Sequence, residues 1–133
     1  MNFIRCGFLG WCIEIIWTGF LSFINHDKKM IGTSSILMFP IYGMACFIKP
    51  VYKKIGKHCA LFRGIIYTIG IFAAEYITGN FLKKKWKCPW DYSDCKYNIS
   101  GLIRIDYAPA WFLVGLFFEK FLNSCDRRSH TSK

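Results

Sequence analysis

Acidic residues, histidines and nucleotide-binding motifs are scarce in this sequence, and each shortage excludes a class of protein. Eight acidic residues stand against 18 lysines and arginines, which gives a formal net charge of +10. The three histidines, His26, His58 and His130, lie far apart and fit no Ser-His-acid or metal-ligand pattern. No G-x-x-x-x-G-K-[ST] motif occurs, so the sequence contains no sign of a nucleotide-binding P-loop. We therefore expect no metal and no cofactor, and the sequence favours a role other than catalysis.

The basic excess comes without any recognised nucleic-acid-binding module. The lysines and arginines cluster between apolar blocks, in the segments 49–57, 83–87 and 127–128. Lysines beside a bilayer anchor the chain to anionic head groups and set its topology. We therefore expect the lipid bilayer to be the partner of these clusters, and not nucleic acid.

Paired C-x-x-C spacing is also missing among the seven cysteines, which argues against a zinc site. Only Cys88 and Cys95 share a loop, where they could form a disulfide if that loop faces an oxidising compartment. The same loop contains N-I-S from Asn98 to Ser100. This pattern is a glycosylation acceptor, and it matters only if the loop is exported.

Long apolar blocks, in contrast, are plentiful, and 53% of the residues are hydrophobic. They predict spans at about 3–24, 34–48, 61–82 and 107–122, followed by a polar tail at 123–133. The first and third reach the roughly 20 residues that a spanning helix needs. The second and fourth are short, with interfacial or re-entrant segments as the alternative. We expect an all-α, four-span transmembrane helical bundle in one integral membrane domain, with an interfacial loop between spans three and four.

The first block is longer than the apolar region of a signal peptide and no small-residue cleavage site follows it, so we expect it in the mature chain. In a four-span arrangement the basic residues divide almost evenly between the two sides of the membrane. The small excess lies on the side of the two termini, which predicts both termini in the cytoplasm of a cell-membrane protein.

A polar face runs along the first predicted span. Glu14, with Gly10, Thr18 and Ser22 at intervals of four residues, shares one side of the helix. A charged side chain in hydrocarbon costs roughly 2.5–3.5 kcal/mol on insertion scales. We therefore expect this face to contact protein and not lipid.

The third predicted span repeats this arrangement. Gly70, Ala74 and Thr78 form a ridge of small residues suited to close helix contact, and Glu75 lies beside it. In the fourth span, Trp111 is expected to pack or to lie at the interface. Glu119 is expected to be solvated near Lys120 or Arg127.

The second predicted span contains Pro40, Tyr42 and Gly43. Pro40 removes an intrahelical hydrogen bond, and such breaks are tolerated only where protein or a cavity satisfies the backbone. Broken helices line substrate sites in transporters, whereas the alternative is a simple proline kink. In the first case we expect the Tyr42 hydroxyl to reach the glutamates.

The motif "CPWDYS" separates the third and fourth spans. Pro89 stiffens the chain, Trp90 and Tyr92 suit the membrane interface, and Asp91 and Ser93 can bond to turn backbone. We interpret the segment as an ordered lid over a polar cavity, with an aromatic belt and a turn as the alternative. The residues expected to line that cavity are Glu14, Thr18, Glu75 and Thr78.

Two carboxyl groups inside the membrane leave several chemistries open. They could share a proton as a relay or serve as an acid–base pair. They could also be protonated and hydrogen-bonded across helices, with a purely structural role.

The order "WCIEIIWTG", "FPIYG", "AAEYITGNFL", "CPWDYS" and "NISGLIRIDYAPAWFLVG" resembles the type IV ABC-transporter permease family of the CmpB type, which includes the vertebrate transmembrane protein 229 group. The likeness covers about residues 7–119. The resemblance implies a multi-pass helical membrane protein. The residues that match the family pattern are Glu14, Pro40, Tyr42, Gly43, Glu75, Thr78, Gly79, Pro89, Trp90, Asp91, Tyr92, Ser93, Gly101 and Trp111.

The resemblance implies a permease-like transporter component with a polar intramembrane site that includes Glu14, Tyr42, Glu75 and Asp91. A chain of 133 residues is small for a permease acting alone, so we expect a homo-oligomer or a separate ATPase subunit as partner. The alternatives are an intramembrane enzyme or small-molecule or lipid-binding protein that uses Glu14 and Glu75, and a structural or regulatory membrane subunit.

Overall fold

The computed structural model of the chain describes the backbone of residues 1–131 and the side chains of residues 1–128, and Ser132 and Lys133 of the predicted tail lie outside the described residues. The helices in it are α1 (Asn2–Ile24), α2 (Met38–Gly43), α3 (Ile48–Ile55), α4 (Ala60–Lys84) and α5 (Ala108–Thr131). The short strands β1 (Asn98–Ile99) and β2 (Ile103–Arg104) pair antiparallel. The protein is therefore mostly helical, with one small hairpin. It divides into two compact units, Met1–Ala45 and Cys46–Lys133.

The first unit pairs α1 with α2 through glycines. An added Cβ would meet Phe39 at Gly7 and the Tyr42 ring at Gly10. The ring of Phe39 also lies edge-on to Phe8, with 5.1 Å between ring centroids. Glycine at these positions lets the α2 aromatic side chains lie directly on the α1 backbone.

The second predicted span has a different local structure from a single long helix. α2 ends at Gly43, a 3₁₀ turn covers Met44–Phe47, and α3 follows. Pro40 lies in the first turn of α2, where no intrahelical hydrogen bond needs its missing N–H. The proline therefore introduces no break inside a helix.

The second unit is built on the antiparallel pair of α4 and α5. An added Cβ at Gly64 would overlap the Phe112 ring, and one at Gly115 would lie 2.6 Å from Cβ of Tyr67. Tyr67 is only 3% exposed. An added Cβ at Gly70 meets nothing within 4 Å in the described part of the chain. The predicted contact ridge is therefore wrong at Gly70, and close packing occurs at Gly64 and Gly115 instead.

Within residues 1–131, two helices are long and apolar enough to cross a membrane, α1 and α4. Only 17% of the most apolar window of each helix is buried in the protein. A core helix of a soluble protein is mostly buried, so this exposed apolar surface is consistent with a membrane location. α5 has the required length but is more polar, and it continues through the predicted tail to Thr131.

Candidate functional site

The polar face of α1 is covered by the chain that returns from its end. The Ser34 hydroxyl donates to Oε2 of Glu14 at 3.0 Å. The Thr33 N–H donates to Oγ1 of Thr18 at 2.8 Å, and the Ser22 hydroxyl donates to Asp27 at 3.0 Å. The face that carries Glu14 thus contacts protein within the first unit.

The returning chain can cover the polar face because its backbone lies very close to the backbone of α1. An added Cβ at Gly19 would lie 3.0 Å from the Met30 carbonyl oxygen, and one at Gly32 would overlap the Ile15 carbonyl oxygen. Tyr42 packs its ring on Gly10, one turn before Glu14 on α1. The first unit therefore brings Glu14, Thr18 and Tyr42 to the same side of α1.

In the second unit, Glu75 on α4 lies near Trp111 on α5. The indole of Trp111 interacts with the Glu75 carboxyl group. However, Oε2 of Glu75 and Nε1 of Trp111 are buried, and neither makes a hydrogen bond within the described residues. Thr78 is different, because its hydroxyl donates to the Ala74 carbonyl at 2.6 Å on its own helix. The cavity predicted to combine all these residues stays a prediction.

The "CPWDYS" segment is an ordered loop that lies against the end of α4. The Trp90 indole N–H donates to the Leu102 carbonyl at 3.1 Å. An added Cβ at Gly79 would lie 2.9 Å from Leu102 and 3.0 Å from the Trp90 ring. Pro89 is exposed. Glycine at position 79 therefore allows the loop to pack on α4, and its interpretation as a lid over a polar cavity stays a prediction.

Hydrogen bonds across the loop connect its beginning to the β1–β2 hairpin. The Tyr92 N–H donates to the Gly101 carbonyl at 2.9 Å, and the Tyr92 ring lies edge-on to Tyr107. The Asn98 amide donates to the carbonyls of Ser93 and Cys95, and its oxygen accepts the Gly101 N–H. Asn98 thus has a structural role in the N-I-S pattern, because all three contacts hold the loop together.

Asp91 is hydrogen-bonded to Ser93 within this loop. The Ser93 hydroxyl and N–H both donate to Oδ1 of Asp91, at 2.5 Å and 3.0 Å. These bonds, the hydroxyl first, and the nearby charge of Lys83 lower the pKa of Asp91 below its ordinary value. The carboxyl group is therefore ionised at neutral pH.

The lowered pKa predicts a loop that loosens in acid. Because the folded-state pKa lies below the unfolded one, the stabilisation is present above the ordinary carboxyl pKa and is lost as pH falls through the folded value. We expect Ser93→Ala to raise the titration midpoint of Asp91. Carboxyl chemical shifts in an NMR pH titration measure that midpoint. An unchanged midpoint in Ser93→Ala, with Ser124→Ala as the control, would contradict this assignment.

An ion pair between a partly buried arginine and a buried glutamate in the second unit was not predicted from the sequence. Arg63 donates from Nε and Nη2 to Glu119 at 3.0 Å for each bond, and the Tyr67 hydroxyl donates to the same carboxylate at 2.6 Å. Glu119 is only 6% exposed. The expectation that Glu119 is solvated is therefore wrong, and the partner that holds its carboxylate is Arg63. The four-residue spacing of Arg63 and Tyr67 on one face of α4 was the available signal.

Among the described residues, no group of three His, Cys, Asp or Glu side chains could hold a metal ion.

Comparison with known protein families matches residues 1–131 to the family described as "Putative ABC-transporter type IV". The chain belongs to this family. No solved structure matches the chain. Membership supports an ABC-transporter-like membrane component, and the relation to the vertebrate transmembrane protein 229 group stays a prediction.

Proposed function

We propose that the chain is a permease-like component of a transporter, built as one multi-pass, four-span domain in the cell membrane with both termini in the cytoplasm. Family membership and the apolar helices α1 and α4 support a membrane component. The second and fourth spans of this proposal are the segments 34–48 and 107–122. Since the chain has no P-loop motif, a separate ATPase subunit would hydrolyse ATP. A homo-oligomer is the other assembly we propose.

The observation that carries this proposal is the pair formed by Glu75 and Trp111. The two side chains interact with each other, yet the buried Oε2 of Glu75 and Nε1 of Trp111 have no partner at hydrogen-bonding distance among the described residues. Buried polar atoms are nearly always hydrogen-bonded, and a carboxyl group inside a candidate span is costly. The pair therefore supports a site at which a solute or a proton is bound between α4 and α5.

The chemistry of the pair indicates what it can bind. A carboxyl group accepts hydrogen bonds and takes up a proton, whereas the indole of Trp111 only donates. A small solute with both a donor and an acceptor matches this combination, as does a proton on Glu75. Glu14, with its bond from Ser34, is the corresponding carboxyl group of the first unit.

Flux measurements test the role of Glu75. The chain is purified in mild detergent with any ATPase subunit that accompanies it and is reconstituted into proteoliposomes with ATP. The vesicles are incubated with a ¹³C-labelled extract of water-soluble metabolites, and uptake is measured by mass spectrometry. We expect Glu75→Gln to lower the uptake of the transported solute at least about tenfold, the result of removing one good charged contact of about 1.4 kcal/mol or more.

Tyr76→Phe is the matched control, because Tyr76 is the next residue on α4 and its side chain is 40% exposed. This variant is expected to keep wild-type uptake. Uptake that is the same in wild-type and protein-free vesicles would contradict a transport role. Uptake that survives Glu75→Gln would remove Glu75 from the site.

A further inference from the structure

A hollow of about 340 Å³ opens at the C-terminal end of α4. Its volume lies within the range of about 300–1,000 Å³ that is typical of small-ligand sites. The loop forms one wall, where the Trp90 indole is held by Leu102. The residues that line the hollow are Lys83, Trp86, Cys88, Trp90, Asp91, Gly101 and Leu102.

The hollow contains one anionic and one cationic group. Both hydrogen bonds from Ser93 end on Oδ1 of Asp91, so Oδ2 accepts no bond from a described residue. The Lys83 ammonium group donates to the Ser100 carbonyl at 3.2 Å. An ammonium group has three donors, which leaves two for a ligand. The pair suits a ligand that carries an ammonium group and a phosphate.

The surroundings of the hollow are those of a membrane surface. Lys83 and Lys84 end an apolar helix of 25 residues, and Lys85 and Lys87 follow at once. Trp86 is 97% exposed. A lysine ammonium group binds phosphate as a point charge, and tryptophan prefers the head-group region on either side of a membrane. The apolar side chains of Phe81 and Ile77, on the last turns of α4, are more than half exposed.

We propose that this hollow binds the head group of a phospholipid with a primary ammonium group, of the phosphatidylethanolamine type. The phosphate accepts hydrogen bonds from Lys83, and the ammonium group donates to Oδ2 of Asp91. The acyl chains follow the exposed apolar surface of α4. This site is independent of the proposed transport role, because it uses neither Glu75 nor Trp111.

Cys88 provides a direct readout, because it lines the hollow and its thiol donates to the Trp90 carbonyl at 3.1 Å. The full chain in detergent is treated with N-ethylmaleimide, and the alkylation rate of each cysteine is followed by peptide mass spectrometry. Cys59 is exposed at the other end of α4 and serves as the internal control. We expect dioctanoyl phosphatidylethanolamine to slow the alkylation of Cys88 several-fold and to leave that of Cys59 unchanged.

Three comparisons identify the chemistry of the ligand. Dioctanoyl phosphatidylglycerol has the phosphate without the ammonium group, and free phosphoethanolamine has both groups without the acyl chains. We expect either compound to protect Cys88 less than the ammonium lipid does. Equal protection by phosphatidylglycerol would overturn the role of Asp91. Equal protection by free phosphoethanolamine would overturn the assignment to a lipid.

Two variants test the residues. Asn at position 91 keeps the oxygen that accepts the bonds from Ser93 but removes the charge. We therefore expect Asp91→Asn to lower the affinity for the ammonium lipid about threefold, which is the effect of losing an exposed ion pair. Lys83→Gln should weaken both phospholipids by a similar factor, and Lys54→Gln on α3 should change neither. The alkylation rate of Cys88 in the absence of lipid, compared with that of the wild type, shows whether a variant disturbs the loop. If Asp91→Asn changes this rate, the result for Lys83→Gln is used to judge the proposal. The proposal is overturned if the ammonium lipid protects Cys88 equally well in the wild type, Asp91→Asn and Lys83→Gln. It is also overturned if the lipid does not protect Cys88 in the wild type.

Discussion

Glu119→Ala is expected to lower the free energy of unfolding by about 3 kcal/mol, because the partly buried Arg63 then loses its counter-ion and keeps only its bond to the His58 carbonyl. The Arg63 side chain is 18% exposed and that of Glu119 is 8% exposed. The same change removes the bond of 2.6 Å from the Tyr67 hydroxyl. Chemical unfolding in detergent, followed by tryptophan fluorescence, measures the loss.

A second ion pair in the same unit supplies the control. Lys49 and Asp126 lie 2.7 Å apart, but their side chains are 27% and 41% exposed. Water and salt screen such a pair, so Asp126→Ala should cost only about 0–1 kcal/mol. A loss in Glu119→Ala no larger than that of Asp126→Ala would show that the buried pair adds little.

A double variant separates the cost of an uncompensated charge from the value of the pair. Arg63→Met combined with Glu119→Met removes both charges and fills the space with apolar atoms. Such replacements are often neutral or stabilising. We therefore expect the double variant to be more stable than Glu119→Ala. A double variant as unstable as the single one would point to lost packing and to the loss of the Tyr67 bond.

The long apolar helices could be predicted from the sequence, because each contains an apolar stretch of the roughly 20 residues that a spanning helix needs. The predicted spans 3–24 and 61–82 correspond to α1 at Asn2–Ile24 and α4 at Ala60–Lys84. Periodicity also indicated which side of α1 contacts protein, since a four-residue spacing defines one face of a helix. The local structure around Pro40 was harder to predict, because a proline permits either a kink within a helix or the start of a new helix.

Partners between distant helices could not be predicted in the same way. Arg63 and Glu119 are 56 residues apart, and only the packing of α4 on α5 brings them together. From the sequence, Lys120 and Arg127 were nearer candidates for Glu119. For the same reason, spacing alone could not tell which glycine on α4 contacts another helix. Gly64 and Gly70 both interrupt an apolar run, yet only Gly64 faces α5.

This difference between two glycines predicts opposite effects of the same substitution. Gly64→Leu places a side chain where the Phe112 ring lies, and overpacking of this kind costs about 1–3 kcal/mol or more. Gly70→Leu adds a side chain where nothing lies within 4 Å of the new Cβ. Leucine favours a helix over glycine by about 0.5–1 kcal/mol, so we expect this variant to be stabilised.

Thermal unfolding of both variants in the same detergent measures the effect, because both substitutions lie on α4 and add the same apolar side chain. The difference between them therefore reports the α4–α5 contact and not helix propensity. Two variants with equal stability would contradict the close approach of α5 at Gly64. A destabilised Gly70→Leu would instead indicate that this exposed face of α4 is covered in the folded protein, as it would be in a homo-oligomer.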